Sequence, residues 1–514
     1  DDLIIGADRD DPNGSNSGAS FVVFGKSGGA VVELSEIELG TNGDGFVING
    51  VAEGDNSGRS VSSAGDVNGD GFDDLIIGAS GDDPNGLSSG ASFVVFGKTD
   101  GTAVELSEIE LGTNAGGFVI NGVSARDLSS VSVSDAGDVN GDGLDDLIIG
   151  ADYDDPNGSN SGASFVVFGK TDGAAVELST VEAGSGGFVI NGVETGDYSG
   201  TSVNSAGDVN GDGFDDLIIG AWGDDPNGSN SGASFVVFGG DFTGAATQVG
   251  TTGADTLTGT AGNDVLIAGT GDDTLIGSGG ADVLRGGAGN DILAVSTNDF
   301  TKIEGGSGTD TLRLDGTGLS LDFRTIADNA ITEIEIIDLN GQGNSVSLDV
   351  LEVLRLSDSS NTVRILGDNT DTLSLSGFGW TTETAVTEAG ITFDVFSDGE
   401  AVIQVQQGIT RLGGPIAAVE LSEVETNSDL RGFVINGVAT GDYSGLPVSS
   451  AGDVNGDGLD DLIIGADRDD PNGSSSGASF VVFGKSGGAV VELSEIELGT
   501  NGDGFVINGV ASGD

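Results

Sequence analysis

The chain has 514 residues, 16 basic and 84 acidic, for a formal charge of −68, with 94 glycines and no cysteine, histidine or methionine. That composition excludes disulfides, thiolate and imidazole metal sites, and Cys-His or Ser-His-Asp catalysis. A phosphate backbone needs Lys and Arg, so no nucleic acid partner is expected. The hydrophobic fraction of 36% suffices for a core, and glycine at this density argues against long helices.

The chain opens on Asp1-Asp2-Leu3, within a motif that stands complete further on, and reads as a piece of something longer. In chain order the segments DLIIGA, a DDPNG turn, ASFVVFG, VELSE, GFVINGV and SVSSAGDV succeed one another. The apolar runs are strand-sized, and none approaches the ~20 residues of a membrane span, so no transmembrane segment is expected. Five of the seven prolines (Pro12, Pro84, Pro156, Pro226, Pro471) fall in the DDPNG turn, where a preset φ suits a tight reversal.

The acidic loop DVNGDGFDDLIIGA begins at Asp66 and recurs, with Phe or Leu seventh, at Asp138, Asp208 and Asp453. The first two spacings are 72 and 70 residues, and the third is 245. About four strands per ~70-residue unit are expected, with a large insert between the third and fourth copies. Residues 1–55 match 460–514 at 53 of 55 positions, which reads as a tandem array with a 459-residue period.

Each acidic loop places oxygen side chains at positions one, three, five and nine and glycine at six, with position seven offering a carbonyl. Alternating hard oxygens of this kind converge on a hard cation, as in the front of an EF-hand loop, and calcium suits them better than Mg²⁺. The candidate ligands are Asp66, Asn68, Asp70, Phe72 and Asp74; Asp138, Asn140, Asp142, Leu144 and Asp146; Asp208, Asn210, Asp212, Phe214 and Asp216; and Asp453, Asn455, Asp457, Leu459 and Asp461. The bidentate Glu of position twelve is missing, since Ile77 stands there, so the ninth residue must close the site.

The insert opens with Asp255, Asp264, Asp273, Asp282 and Asp291, nine apart, and Leu257 to Leu293 keep the same spacing. The frame GGxGxDxUx predicts a parallel β-roll with one coil per nine residues, its aspartates and glycine carbonyls holding Ca²⁺ between coils. From about 294 to 414 the period fades, leaving GGSGTDTLRL and GDNTDTLSL as echoes beside strand-like runs. Arg285, Lys302, Arg313 and Arg324 read as sparse charges with no basic patch, and Trp222, in a variable turn, as surface. Four loops and roughly four roll sites would add about +16 and leave the chain near −50, which points to a calcium-rich space outside the cell.

The ~70-residue unit resembles a bacterial FG-GAP repeat, the blade of integrin-α-type propellers, through DVNGDGFDDLIIGA and SFVVFG. The resemblance implies one calcium per loop on the residues named above. It departs at Phe96-Gly97-Lys98, where the family has FGGAP, and in having four units per period against seven blades. A four-bladed ring, an open arc and a ring shared between periods all stay open. Residues 251–294 resemble the RTX calcium-binding β-roll, and the segment C-terminal to them is similar to spacers of giant secreted bacterial surface proteins.

The expected fold is therefore all-β: FG-GAP propeller-like four-stranded blades, a parallel β-roll and a β-rich spacer. The expected domains are 1–240 (FG-GAP-like repeats), 241–294 (roll), 295–415 (spacer) and 416–514 (repeats of the next period). The expected function is structural, a calcium-rigidified module of an extracellular filament or surface fibre, self-associating or covalently tandem. The alternative is an adhesin binding a surface glycan or protein. No catalytic residues are expected, because the acid pairs recur with the structural unit.

Overall fold

The structure is a computed structural model. It describes residues 2–25, 31–40, 43–98, 100–113, 115–357, 360–376, 380–399, 401–413, 435–438, 443–452, 461–466, 468–469, 478–483, 491–498 and 504–508. The chain forms two compact units, 1–415 and 416–514, and the fold is all-β with short helices.

In the first unit, antiparallel meanders form blades. Two have four antiparallel strands of their own: Ser57–Gly65, Asp74–Ala79, Ala91–Val95 and Gly117–Asn121, then Ser132–Gly137, Asp146–Ala151, Ala163–Val167 and Gly187–Asn191. Three strands (Leu3–Ala7, Ala19–Val23, Gly45–Asn49) form the first blade, and three (Ser199–Gly207, Asp216–Ala221, Ala233–Val237) the fourth. The run ASFVV is buried along its whole length in Ala91–Val95 and Ala163–Val167, as a strand covered on both faces should be. First strands of successive blades lie side by side. Val133 N donates to Ser60 Oγ at 3.0 Å, and Val203 N to Ser132 Oγ at 3.1 Å.

VELSE is more than a lead-in. Its first two residues form a strand, and LSEIE closes a one-turn helix that buries Leu106 and Ile109, three apart and hence on one helical face. The strand Val104–Glu105 adds in parallel to the outer strand of the preceding blade, Gly45–Asn49, and Val176–Glu177 does the same to Gly117–Asn121. Glu105 accepts from Asn49 Nδ2 at 2.7 Å and from Asn13 Nδ2 at 3.3 Å. Glu177 repeats this with Asn121 at 2.8 Å and Asn85 at 3.0 Å. An outer edge that would otherwise stay open is thus covered by the next unit.

The insert is a parallel β-solenoid. Thr256–Thr258 pairs with Thr274–Ile276, and Val265–Thr270 with Val283–Gly289, so partners are 18 residues apart. One coil therefore takes two nonapeptides, where the period alone suggested one. Each nonapeptide supplies only one of the two facing strands, and both are needed to enclose the leucines. The sheets run on through position 294: Ile292–Val295, Thr311–Leu314, Ile336–Asp338, Thr362–Leu366 and Ala401–Gln406 continue one of them. A third parallel sheet joins from Ser320–Asp322 to Thr410–Gly413. A single core extends from Leu257 to Ile409, so the roll and the segment after it share one interior. That later segment also carries a helix, Val350–Leu356, whose N-cap Asp349 accepts from Leu351 N and Glu352 N.

The second unit has the blade Ser444–Gly452, Asp461–Ala466, Ala478–Val482 and Gly504–Asn508. Val491–Glu492 pairs in parallel with Ile435–Asn436, and Asn436 Nδ2 donates to Glu492 at 2.8 Å.

Candidate metal centres

The acidic loops sit between the first and second strands of their blades. In the first, Asp66 Oδ1 accepts from Gly69 N at 2.7 Å and Asp70 N at 3.1 Å, and its Oδ2 from Gly71 N at 2.8 Å. Asn68 Oδ1 takes Asp70 N at 2.8 Å, and Asp70 Oδ1 takes Phe72 N at 3.0 Å. Asp138 repeats the pattern with Gly141, Asp142 and Gly143, and Asp208 with Gly211, Asp212 and Gly213. Gly69 and Gly71 stand at φ of 77° and 87°, which side-chain-bearing residues rarely adopt.

In the three described loops the ninth residue is the buried wall. Asp74 accepts from Gly97 N at 2.8 Å, Asp146 from Gly169 N at 2.9 Å and Asp216 from Gly239 N at 2.9 Å. Asp74 Oδ2 and Asn140 Oδ1 are buried without a hydrogen-bond partner. Burial pushes the Asp74 carboxyl up to about 7, helped by Asp66 and Asp70, and pushes Asp146 well above the usual range, with Asp138 adding to it. A buried, partly unsatisfied carboxylate beside like charges is an environment that a cation relieves. Phe72, Leu144 and Phe214 stand at the seventh position of the three loops. Asp453, Asn455, Asp457 and Leu459 lie outside the described residues, as does the side chain of Asp461.

In the solenoid the aspartates form two ladders, on alternate edges. Asp255 N donates to Asp273 Oδ1 at 2.6 Å, Asp273 N to Asp291 Oδ1 at 2.7 Å, and Asp291 N to Asp310 Oδ1 at 2.7 Å. On the other edge Asp264 N donates to Asp282 Oδ1 at 3.0 Å. Oδ2 of Asp273, Asp291 and Asp310 is buried and unpartnered. Burial pushes Asp291 up to about 6 and Asp310 to about 8, partly offset by the amides they accept from. Asp310 belongs to the GGSGTDTLRL echo and continues the ladder. Asp371, of the second echo, is buried in the third sheet and accepts from Asn344 N at 2.9 Å. Among the described residues no three acidic side chains already stand as a metal-holding group.

The glycines of the nonapeptide have a steric reason. A Cβ at Gly286 would come within 2.3 Å of the Gly305 carbonyl oxygen and 2.6 Å of Asp291 Oδ2. Gly286→Ala is expected to cost about 1–3 kcal/mol in chemical denaturation and to weaken calcium binding. Gly253→Ala, with nothing within 4 Å, should change neither; equal effects from the two would refute the close-approach reading.

Arg285 and Lys302 are not scattered surface charges. Arg285 is 1% exposed, and its guanidinium lies 3.0 Å from Asp138, 3.5 Å from Glu304 and 3.6 Å from Asp215. Lys302 Nζ is 3.3 Å from Asp145. Asp145 and Asp215, eighth in their loops, also accept Asp66 N and Asp138 N of the preceding loops, both at 2.8 Å. Sequence reasoning misses the role of these four residues; the doubled Asp of FDDL and LDDL is the local signal for two of them. Trp222, 51% exposed, stacks on Tyr198 with centroids 4.8 Å apart, and Tyr153 meets Tyr198 edge-on at 5.6 Å.

Comparison with known proteins defines the class: the chain combines two kinds of repeat. FG-GAP repeats match residues 57–95, 130–167, 199–237 and 448–482. The RTX calcium-binding nonapeptide repeat matches 249–284 and 267–295, and through it the chain binds Ca²⁺. The chain is 33% identical over 168 residues to a phosphatidylinositol-glycan-specific phospholipase D of Dictyostelium discoideum, covering 30% of this chain and 17% of that protein. It is 28% identical to Mus musculus integrin alpha-IIb over 166 residues, 31% of this chain and 14% of that one. It is also 28% identical to Caenorhabditis elegans integrin alpha ina-1 over 208 residues, 38% and 18%. The chain thus spans less than a fifth of each of these relatives. Both repeat types are in general non-catalytic and typical of extracellular proteins. No helix among the described residues is long and apolar enough to cross a membrane.

Proposed function

We propose that the chain is a structural, calcium-rigidified repeat module of an extracellular filament or cell-surface fibre. The supporting observation is that successive units are joined by the same contact each time: Glu105 and Glu177 bridge equivalent asparagines, and Asp145 and Asp215 hold equivalent loop amides. A contact that repeats with the unit can be propagated along an array. Calcium would be held by Asp66, Asn68, Asp70, the Phe72 carbonyl and Asp74 and by the equivalent residues of the other loops. In the solenoid Asp255, Asp264, Asp273, Asp282 and Asp291 would hold it. Bound there, the cation supplies the positive charge that the buried carboxylates lack. Catalysis is no part of this reading: the acidic residues belong to the repeat, and the phospholipase match covers too little of that enzyme to bring its activity here.

Electron microscopy of the native protein in millimolar calcium, repeated with EGTA, tests the proposal. Regular filaments that loosen on chelation are expected, with an axial repeat set by one 459-residue period. Discrete particles in both conditions would refute the fibre. An adhesive role is the second reading, favoured by Trp222 and Tyr153, exposed aromatic side chains that flank Tyr198. Glycan-array binding that is lost in Trp222→Ala would move the weight there.

A further inference from the structure

The acidic loops do not face open solvent throughout; the solenoid lies against them. A Cβ at Gly141 would meet Ile267 Cδ1 at 2.7 Å, and one at Gly143 would meet Val283 Cγ2 at 2.7 Å. At Gly213 it would meet Ile267 Cγ2 at 2.5 Å, and at Gly211 Ala288 Cβ at 2.7 Å. The turn glycines of the second and third loops are therefore the floor on which strands Val265–Thr270 and Val283–Gly289 rest. Arg285 projects from the second of these strands into the joint, where it meets Asp138, the first candidate ligand of the middle loop, and Asp215 of the next. It also lies 3.4 Å from the Gly213 carbonyl oxygen, to which it donates. Lys302, one coil on, reaches Asp145. Asp138, Asp145, Asp215 and Glu304 outnumber the two cations, so the joint has room for further positive charge. An arginine removed from water this completely is tolerated only with its charge paired.

We propose that the loops form a calcium-controlled docking platform for the solenoid, keyed by Arg285. This rests on the calcium reading above. A cation in the 138–146 loop fixes the Gly141–Gly143 turn in the shape that Ile267 and Val283 cover. Docking in turn places Arg285 against Asp138 and Asp215 and holds the loop closed. Each event favours the other, and linkage makes the coupling reciprocal. The FG-GAP and RTX parts then respond to calcium as one body.

Hydrogen–deuterium exchange of the full chain at graded free calcium tests this. In the wild type, segments 138–146 and 283–289 should become protected at the same calcium concentration. In Arg285→Met the two midpoints should separate, with the loop needing roughly fivefold more calcium; Arg285→Lys should restore part of the shift. Lys302→Met should give a smaller separation, and covers the case in which Arg285→Met fails to fold. Arg313→Met, which removes a pair with Asp315 inside the solenoid, should leave both midpoints alone. Coincident, unshifted midpoints in Arg285→Met and Lys302→Met would overturn the coupling while leaving calcium binding intact. Loss of the charge giving tighter loop binding would also overturn it. Protection indifferent to calcium in the wild type would overturn the calcium reading itself.

Discussion

Chelating calcium from the full chain should lower its unfolding midpoint by more than about 20 °C. Each cation bound only by the folded state adds roughly 3–4 kcal/mol at 100 to 1,000 times its dissociation constant, and the chain offers several sites. The nonapeptide solenoid is the part most exposed to the loss. Its interior between residues 257 and 293 is narrow, built on Leu257, Leu266, Leu275, Leu284 and Leu293 with Ala268. Its edge stacks Asp273, Asp291 and Asp310, each with a buried oxygen lacking a partner. Scanning calorimetry with and without EGTA measures the effect, and midpoints within a few degrees of each other would count against a structural role for the metal.

Without calcium, stability should fall as pH rises from about 4 to about 8. Burial raises Asp74 to about 7, Asp291 to about 6 and Asp310 to about 8, against ordinary values near 4 in the unfolded chain. Between those limits the folded state holds protons that the unfolded state has released, so each unit of pH favours unfolding. The stabilisation is complete below the unfolded value and is gone above the folded one. Calcium should flatten or reverse the slope, since it competes with protons for the same oxygens. Urea titrations at pH 5 and 8 in EGTA and in calcium check this; a metal-free protein more stable at pH 8 would contradict it.

What can be read in the sequence is what its own spacing encodes. Asp66 with Gly69 and Gly71 closes a turn over six residues, so the loop is visible in a nine-residue window. The strand-sized runs ending in VVF and IIGA likewise declare themselves. The nine-residue period misleads on coil length, because an aspartate every nine residues is compatible with one edge or two. Only the pairing of Thr256 with Thr274 shows that successive aspartates alternate. Asp310 follows Asp291 by 19 residues instead of 18, which breaks the count while the ladder continues in space; Asp371, of the second echo, belongs to the third sheet instead, where it accepts from Asn344 N. Arg285 is the sharpest case. It occupies an ordinary outward position of the nonapeptide, and its partners Asp138 and Asp215 lie 147 and 70 residues earlier in the chain. Nothing near it in the chain distinguishes it from Arg313, whose partner is two residues away.

The two-residue strand that each unit lends backward separates the unit of inheritance from the unit of folding. Val104–Glu105 completes a sheet begun by residues 3–49, so a cut placed between sequence repeats always leaves one blade without its last strand. Recombination between copies escapes this penalty. If a gene gains or loses whole repeats, a blade followed by a VELS-bearing unit still receives its Val-Glu, as the blades of residues 3–49 and 57–121 do, and the asparagines that meet the glutamate are equivalent in both. Joints of this kind then stay chemically alike as the number of repeats changes. A crossover out of phase with the repeat would leave an exposed strand edge, and with it a site for aggregation.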